Sequence, residues 1–136
     1  MNCIFCKIIE GEIPSYKVYE DEYIMAFLDI SQVTKGHTLI VPKKHVKNIF
    51  EMDEDVSNII FKSVPKLANA IKKSFKPIGL NIISNNEKPL QSVDHFHIHL
   101  VPRYEDDGFD IAFKNNQANL ENKDYLEILE KLKENI

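Results

Sequence analysis

The spacing of apolar and polar positions changes several times along the chain, and each change marks an element. Short apolar runs bounded by turn-forming residues predict five β-strands, at residues 16–20, 23–30, 36–42, 79–84 and 95–101. A tight turn at residues 20–22 joins the first two strands. Pro42 closes the third strand, because proline has no N–H to donate to a sheet ladder.

From residue 53 onwards the spacing becomes that of one long helix. Its apolar residues recur at steps of three or four, at Val56, Ile60, Val64, Leu67, Ile71 and Phe75. Asp53 is the predicted N-cap. Pro65 lies inside this pattern and predicts a kink or a tightened turn rather than a certain break.

Two shorter helices are predicted near the ends of the chain, at residues 3–10 and 121–135. The first stops near Gly11 and Pro14. The second carries an apolar stripe that is expected to pack in the core, with its charges facing solvent. The stripe consists of Leu126, Leu129 and Leu132. The pattern as a whole predicts an α+β fold, with a five-stranded, mostly antiparallel sheet, one long helix and short terminal helices.

Composition limits the kind of partner. A chain of 136 residues with 43% apolar residues is expected to fold as a single domain over residues 1–136. Its net charge of −4 argues against nucleic acid and membrane surfaces as partners, but allows one small anionic ligand. No apolar run approaches the roughly 20 residues of a membrane span, and no secretory h-region is present. The expected compartment is the cytoplasm.

Three of the five histidines fall within His95-Phe96-His97-Ile98-His99, at alternate positions of the predicted fifth strand. Side chains alternate across a strand, so the imidazoles should share one face while the apolar residues anchor the other face in the core. The outer two imidazoles would stand about 13 Å apart, whereas zinc holds nitrogen at about 2.0–2.1 Å. A regular strand therefore cannot easily bring all three to one metal ion, although two of them could chelate one. The three histidines are expected to have different roles, and the alternative is a surface strand that carries some histidines.

The segment QSVDHFHIHLV, residues 91–101, resembles the signature of the histidine triad (HIT) family. The likeness covers nearly the whole chain. IFCKIIEGEIPSYKVYED resembles the opening of the family, MAFLDIS its second strand and GHTLIVPKKH its third. The residues from Gly79 through Asn85 resemble the strand that leads to the triad.

This resemblance implies a HIT-like fold and a hydrolase that cleaves purine nucleotide derivatives, such as those of AMP or GMP, at the α-phosphate. The middle histidine, His97, would attack the phosphorus and form a covalent nucleotidyl intermediate. His99 and Ser92 would contact the phosphate, and His37 would support the nucleophile and relay a proton. Asn85 and Gln91 match phosphate-contacting positions, and Asp29 matches the carboxylate that accepts from the ribose hydroxyls. The apolar slot for the base would consist of Ile4, Phe5, Ile8, Phe27 and Ile30, for which a plain core role is the alternative.

Both cysteines lie in a C-x-x-C, Cys3 and Cys6. In a cytoplasmic chain this spacing indicates metal binding or redox work rather than a structural disulfide. Together with His45 and His95 the cysteines resemble the zinc ligands of the related galactose-1-phosphate uridylyltransferases, which implies a closed, structural zinc site. The alternative is two small buried residues beside a surface histidine.

Some features leave the substrate open. Glu87 and Leu90 replace glycines common in the family, and their loop is about one residue short. Ser92 resembles the phosphoramidate-cleaving branch, whereas the residues 100–103, LVPR, resemble the branch acting on dinucleoside polyphosphates. Family members are commonly homodimers, so a homodimer is expected. Two other functions stay open: a nucleotide-binding interaction or regulatory protein with little catalysis, and a zinc hydrolase whose histidines hold a catalytic metal.

Overall fold

The computed structural model describes residues 2–136 and contains one five-stranded antiparallel sheet. The strands are β1 (Lys17–Glu20), β2 (Ile24–Leu28), β3 (Thr38–Pro42), β4 (Gly79–Ile83) and β5 (Ile98–Arg103), in the order β1-β2-β3-β5-β4. The helices are α1 (Ile4–Ile9), α2 (Glu54–Phe75) and α3 (Asn122–Lys133), with 3₁₀ turns at Ile49–Glu51 and Gln117–Asn119. The predicted α+β fold is confirmed.

The long helix α2 covers one face of the sheet. Asp53 caps it as predicted, because its Oδ1 accepts from the Val56 N–H at 2.8 Å. The helix continues without a break through Pro65. The core on this side joins the buried stripe of α2 to the apolar residues that alternate with the three histidines. Its buried members are Ile24, Ala26, Ile40, Ile60, Val64, Leu67, Ile71, Phe96, Ile98 and Leu100.

The short helix α1 covers the opposite face of the sheet and builds a second core. Met25 and Phe27 of β2 point to this side, while their neighbours Ile24 and Ala26 point to α2, as expected for a strand buried on both faces. Cys3 caps α1, since its Sγ accepts from the Cys6 N–H at 3.4 Å. This second core therefore fixes the cysteine pair beside the sheet.

The fifth strand begins three residues later than predicted. Ile40 pairs with Ile98, and an extension of this ladder by two residues would place Phe96 opposite Pro42. Pro42 has no N–H to donate, and its carbonyl accepts from His95 Nε2 at 2.8 Å. The Phe96 N–H donates instead to the Val46 carbonyl at 2.7 Å. Only the last triad histidine thus lies within β5, although the alternation of buried apolar residues continues back to Phe96.

The prediction that α3 packs in the core is wrong. None of its residues is buried, and Leu126, Leu129 and Leu132 are 51%, 43% and 60% exposed. An apolar stripe indicates that a helix packs against another apolar surface, but it does not show whether that surface belongs to the same chain. Within residues 2–136, no helix is long and apolar enough to span a bilayer.

Candidate functional site

A cavity of about 510 Å³ opens between α1 and the face of the sheet formed by β2, β3 and β5. Its wall is mostly apolar, and polar side chains gather at one end. The structure brings nine of the predicted site residues together in this wall: Ile4, Phe5, Ile8, Phe27, Asp29, Ile30, Ser92, His97 and His99. An apolar slot with a few convergent polar groups is the usual form of a small-molecule site.

His97 lies at the polar end of this cavity and is 3% exposed. Its Nδ1 contacts the His95 carbonyl oxygen at 2.7 Å. A carbonyl only accepts, so Nδ1 carries the proton and Nε2 holds a free lone pair. The Phe5 ring packs edge-on against the imidazole at 5.0 Å and fixes its orientation. Burial lowers the pKa of His97, although the hydrogen bond to the His95 carbonyl and the charge of Asp29 oppose the shift.

His99 belongs to a hydrogen-bonded chain with His37. The Val33 N–H donates to His37 Nδ1 at 3.3 Å, so the proton of neutral His37 lies on Nε2. Nε2 contacts His99 Nδ1 at 2.9 Å, which leaves the proton of neutral His99 on its own Nε2. His99 is thereby set as a donor. Burial first, then His97 and His37, lower the pKa of His99 to about 4.

The structure places His37 against His99 rather than against His97. Its ring lies 5.1 Å from the His99 ring, and its Nε2 is 3.6 Å from Asp29 Oδ2. The direct proton relay from His37 to His97 that the resemblance implies therefore has no contact to carry it within residues 2–136. The contact that His37 does make with the triad is the one to His99 Nδ1, at 2.9 Å.

Asp29 follows β2 at the rim of the cavity. Its Oδ1 accepts from the Ser31 hydroxyl at 2.6 Å and from the Ser31 N–H at 2.8 Å. Burial opposes ionisation of this carboxyl, but the Ser31 hydrogen bonds and the nearby His37 and His99 outweigh it and lower the pKa. Asp29 is thus a carboxylate at neutral pH with one oxygen held in place.

Two predicted phosphate contacts do not line the cavity. Gln91 is 2% exposed, and its Nε2 donates to the carbonyls of Lys47 and Val93 at 2.7 and 2.9 Å. Its Oε1 accepts from the Glu87 N–H at 3.0 Å. The side chain therefore holds the loop before the triad, and its predicted contact with phosphate stays a prediction. Asn85 is half-buried and lies outside the cavity wall.

Other residues that line the cavity were missed by the sequence analysis, namely Ile13, Pro14, Ser15, Tyr16, Leu28, Leu39 and Val93. For Leu39 a signal existed. It alternates with the buried Ile40 along β3 and so faces the side of the sheet that α1 covers. Val93 precedes the triad in a segment without regular secondary structure, where periodicity gives no guide.

The predicted zinc ligands also converge. The donor atoms of Cys3, Cys6, His45 and His95 all lie within 4.8 Å of one another. Nδ1 of His45 and Nδ1 of His95 are 3.1 Å apart, and each lies 3.4–3.6 Å from a cysteine Sγ. A tetrahedral zinc site has edges of about 3.3 Å between nitrogens and about 3.5 Å between nitrogen and sulfur. The four residues therefore fit a closed zinc site.

Protonation at this centre also fits a metal. His95 Nε2 donates to the Pro42 carbonyl, so the His95 Nδ1 lone pair points at the cysteines. Burial first, and then Cys3, raise the pKa of the Cys6 thiol to about 11. A divalent cation reverses this preference, because it stabilises the thiolate directly.

The chain resembles known proteins in sequence. Residues 10–106 match the HIT domain family. Over 115 residues it is 58% identical to Protein hit of Bacillus subtilis, covering 83% of this chain and 79% of that protein. It is 39% identical over 105 residues to adenosine 5'-monophosphoramidase hnt1 of Schizosaccharomyces pombe, covering 76% and 75%. It is also 39% identical over 107 residues to adenylylsulfatase HINT3 of Arabidopsis thaliana, covering 78% and 54%.

Solved structures show the same fold. A HIT family protein from Bacillus subtilis superposes with a TM-score of 0.96 at 48% identity, covering 100% of this chain and 98% of that one. A zinc-bound histidine triad family protein from Mycobacterium smegmatis superposes with a TM-score of 0.75 at 31% identity, covering 88% and 87%. The first match extends over the whole length of this chain and so includes the region of α3.

Proposed function

The chain belongs to the HIT family, and on that premise we propose that it hydrolyses purine nucleotide derivatives at the α-phosphate through a nucleotidyl-histidine intermediate. One observation carries the proposal. His97 directs an unprotonated Nε2 into an apolar cavity, with the donor His99 and the hydroxyl of Ser92 in the same wall. A neutral imidazole of this kind is a competent nucleophile near pH 7.

The reaction has two steps. Nε2 of His97 attacks the α-phosphorus and a P–N bond forms, while the bond to the leaving group breaks and its electron pair departs with that group. A leaving group that departs as a neutral molecule, such as ammonia, takes up a proton from solvent. Water then attacks the adduct and the P–N bond breaks, which releases the nucleoside monophosphate, gives one proton of the water to solvent and leaves His97 neutral. His99 Nε2–H and Ser92 would donate to the non-bridging oxygens, where negative charge develops.

The electrostatic surroundings of His97 favour these two reaction steps. The lowered pKa of His97 favours the neutral imidazole at pH 7, whose Nε2 lone pair is available for attack. The His95 carbonyl stabilises the positive charge that the ring acquires when Nε2 bonds to phosphorus, because Nδ1 keeps its proton and donates it to that oxygen.

A substrate panel tests the proposed function. We expect measurable kcat/KM with at least one of adenosine 5′-phosphoramidate, adenosine 5′-phosphosulfate and diadenosine tetraphosphate, with guanosine counterparts reporting the base preference. The similarity to the fission yeast adenosine 5'-monophosphoramidase and to the Arabidopsis adenylylsulfatase supports the choice of adenosine derivatives. Tight nucleotide binding without turnover of any of them would overturn the proposal in favour of an interaction or regulatory protein.

Asp29 is proposed as the ribose contact, and Asp29→Ala is expected to weaken AMP binding about tenfold to hundredfold. A hydrogen bond to a charged group contributes roughly 1.5–3 kcal/mol, and Oδ2 has no hydrogen bond from another residue of 2–136. Titration calorimetry should show a much smaller loss for the 2′,3′-dideoxy analogue, which lacks both hydroxyls. Ser31→Ala is the matched control, since it removes a support of Oδ1 and keeps the carboxylate. Equal losses for AMP and its analogue would show that Asp29 acts elsewhere.

The four-residue Cys and His cluster is proposed to bind structural zinc. The Mycobacterium smegmatis relative is described as zinc-bound, and the donor set here is closed, with four protein ligands and no position left for a substrate. Thiolate ligands of this kind persist in a reducing compartment, which supports the cytoplasm as the location. In this proposal zinc stabilises the fold, and His97 rather than the metal performs the reaction.

A second copy of the chain is the proposed protein partner. The apolar stripe of α3 is unburied in the single chain, and exposed stripes of this kind commonly mark an interface. Light scattering during size-exclusion chromatography should give a mass twice that of one chain. A monomer at micromolar concentration would contradict this assignment and leave the stripe without a partner.

A further inference from the structure

A second cavity, of about 600 Å³, lies directly beside the proposed nucleotide pocket. The two cavities share four lining residues, Ile4, Ile13, Ser92 and Val93. The remaining wall of the second cavity is more polar, with Asn2, Cys3, Lys7, His45 and Asp94. His97, His99 and Asp29 line the first cavity and not the second.

Ser92, which lines both cavities, places the second cavity next to the proposed reaction at the α-phosphate. In the proposed reaction its hydroxyl faces the α-phosphate, so the phosphorus lies near the junction of the two cavities. The base and ribose fill the first cavity, and His97 attacks from that side. A group leaving opposite to the attacking nitrogen must depart away from His97, and the second cavity is an adjoining space that Ser92 lines and His97 does not.

Lys7 gives this space a charge preference. It follows Ile4 by three residues on α1, so both side chains lie on the same face of the helix and line the cavity together. Its Nζ contacts only Asn2 Oδ1, at 3.5 Å, and it forms no ion pair with any of residues 2–136. Asp94, in the same wall, is likewise without an ion pair within those residues. The cavity thus presents one available cation, opposed by one carboxylate.

We propose that the second cavity receives the leaving group and that Lys7 selects leaving groups that carry negative charge, a phosphate chain or a sulfate. This inference rests on the proposed hydrolysis at the α-phosphate and adds the residue that discriminates between substrates. Lys7 attracts the departing anion, and Asp94 opposes it. Charge at such a half-exposed site acts more on the choice between ligands than on total affinity.

The test compares Lys7→Met with the wild-type protein on three substrates. Met keeps the apolar stem and removes the charge. We expect kcat/KM to fall about tenfold for diadenosine tetraphosphate and adenosine 5′-phosphosulfate, and less than twofold for adenosine 5′-phosphoramidate, whose leaving group is ammonia. A larger loss with the tetraphosphate identifies a phosphate chain as the preferred group, and a larger loss with the phosphosulfate identifies sulfate.

Two further variants test whether the effect depends on the charge in the second cavity. Asp94→Asn removes the opposing charge and should raise kcat/KM for the anionic leaving groups at least twofold. Lys62→Met on the exposed side of α2 makes the same charge change far from either cavity and should alter none of the three substrates. The affinity for AMP, which has no leaving group, should stay within twofold in Lys7→Met, whereas a distorted α1 would weaken it.

The outcomes separate this inference from the proposed function. If the wild-type protein cleaves none of the three substrates, the proposed function fails and the inference falls with it. If the wild type is active and Lys7→Met lowers all three substrates equally, or lowers AMP affinity in parallel, the leaving-group assignment is overturned while hydrolysis stands.

Discussion

Replacing His97 with Ala is expected to abolish turnover, lowering kcat by at least several orders of magnitude. The substitution removes the nitrogen that forms the P–N bond, and no other described residue presents an unprotonated nitrogen at the same end of the cavity. AMP binding should survive to within roughly tenfold, or about 1.4 kcal/mol, because the proposed base and ribose contacts lie elsewhere in the wall. Single-turnover kinetics and calorimetry measure the two effects separately.

His97→Asn and His99→Ala serve as controls for this result. His97→Asn fills part of the space against Phe5, so it separates loss of the nucleophile from loss of packing. His99→Ala should damage both AMP binding and rate, because a phosphate donor acts in the ground and transition states alike. A protein that loses kcat through general misfolding would instead lose AMP affinity in every variant.

The intermediate can be trapped directly. Rapid quenching of the wild type under mildly alkaline conditions, which preserve phosphohistidine, should leave a nucleoside monophosphate on the peptide that contains His97. An adduct mapped to another residue, or substantial activity in His97→Ala, would overturn the mechanism and leave the fold assignment intact.

The layers of this fold can be predicted well from the sequence, because the spacing of apolar residues along the chain matches the positions that are buried in the structure. The helical spacing from Val56 to Ile71 became the buried stripe of α2, and the alternation through Phe96, Ile98 and Leu100 became the core beneath it. The start of β5 was missed although Pro42 was recognised as the end of β3. The consequence of a proline for the paired strand depends on register, and register is set by the whole sheet.

Contacts between distant segments were harder to predict. The sequence offers Gln91 as a polar residue beside the triad, and only the folded loop shows its amide taken up by Lys47 and Val93. The apolar stripe of α3 predicts burial, but periodicity cannot say whether the covering surface belongs to the same chain. The cavity lined by Lys7 forms where α1 packs beside the loop before β5, and no local sequence pattern predicts that contact between distant segments.

The link between the Cys3, Cys6, His45 and His95 cluster and His97 emerges only from the structure. One residue takes part in both, since His95 turns its Nδ1 to the cysteines and its carbonyl oxygen to His97 Nδ1. Zinc binding at this centre would therefore fix the acceptor that sets the tautomer of the nucleophile. The imidazole of His95 and its backbone carbonyl serve two sites at once.

Purified protein is expected to carry about one zinc ion per chain, and Cys3→Ala or Cys6→Ala should remove most of it. A ligand that binds only the folded state stabilises it by about 2.7 kcal/mol at one hundred times its Kd. Loss of that stabilisation corresponds to a fall of roughly 10 °C in Tm for a domain of this size. Turnover per folded molecule should change less, because His95 keeps its hydrogen bond to the Pro42 carbonyl without zinc and so keeps its own carbonyl against His97 Nδ1.

A chelator provides the matched comparison for this prediction. It should lower the Tm of the wild type to that of the cysteine variants and leave the variants unchanged, because they have no bound metal to lose. Elemental analysis of protein prepared without chelator and with excess zinc gives the stoichiometry. Absence of zinc under those conditions, or the same chelator shift in Cys3→Ala as in the wild type, would show that these four residues pack together without a metal.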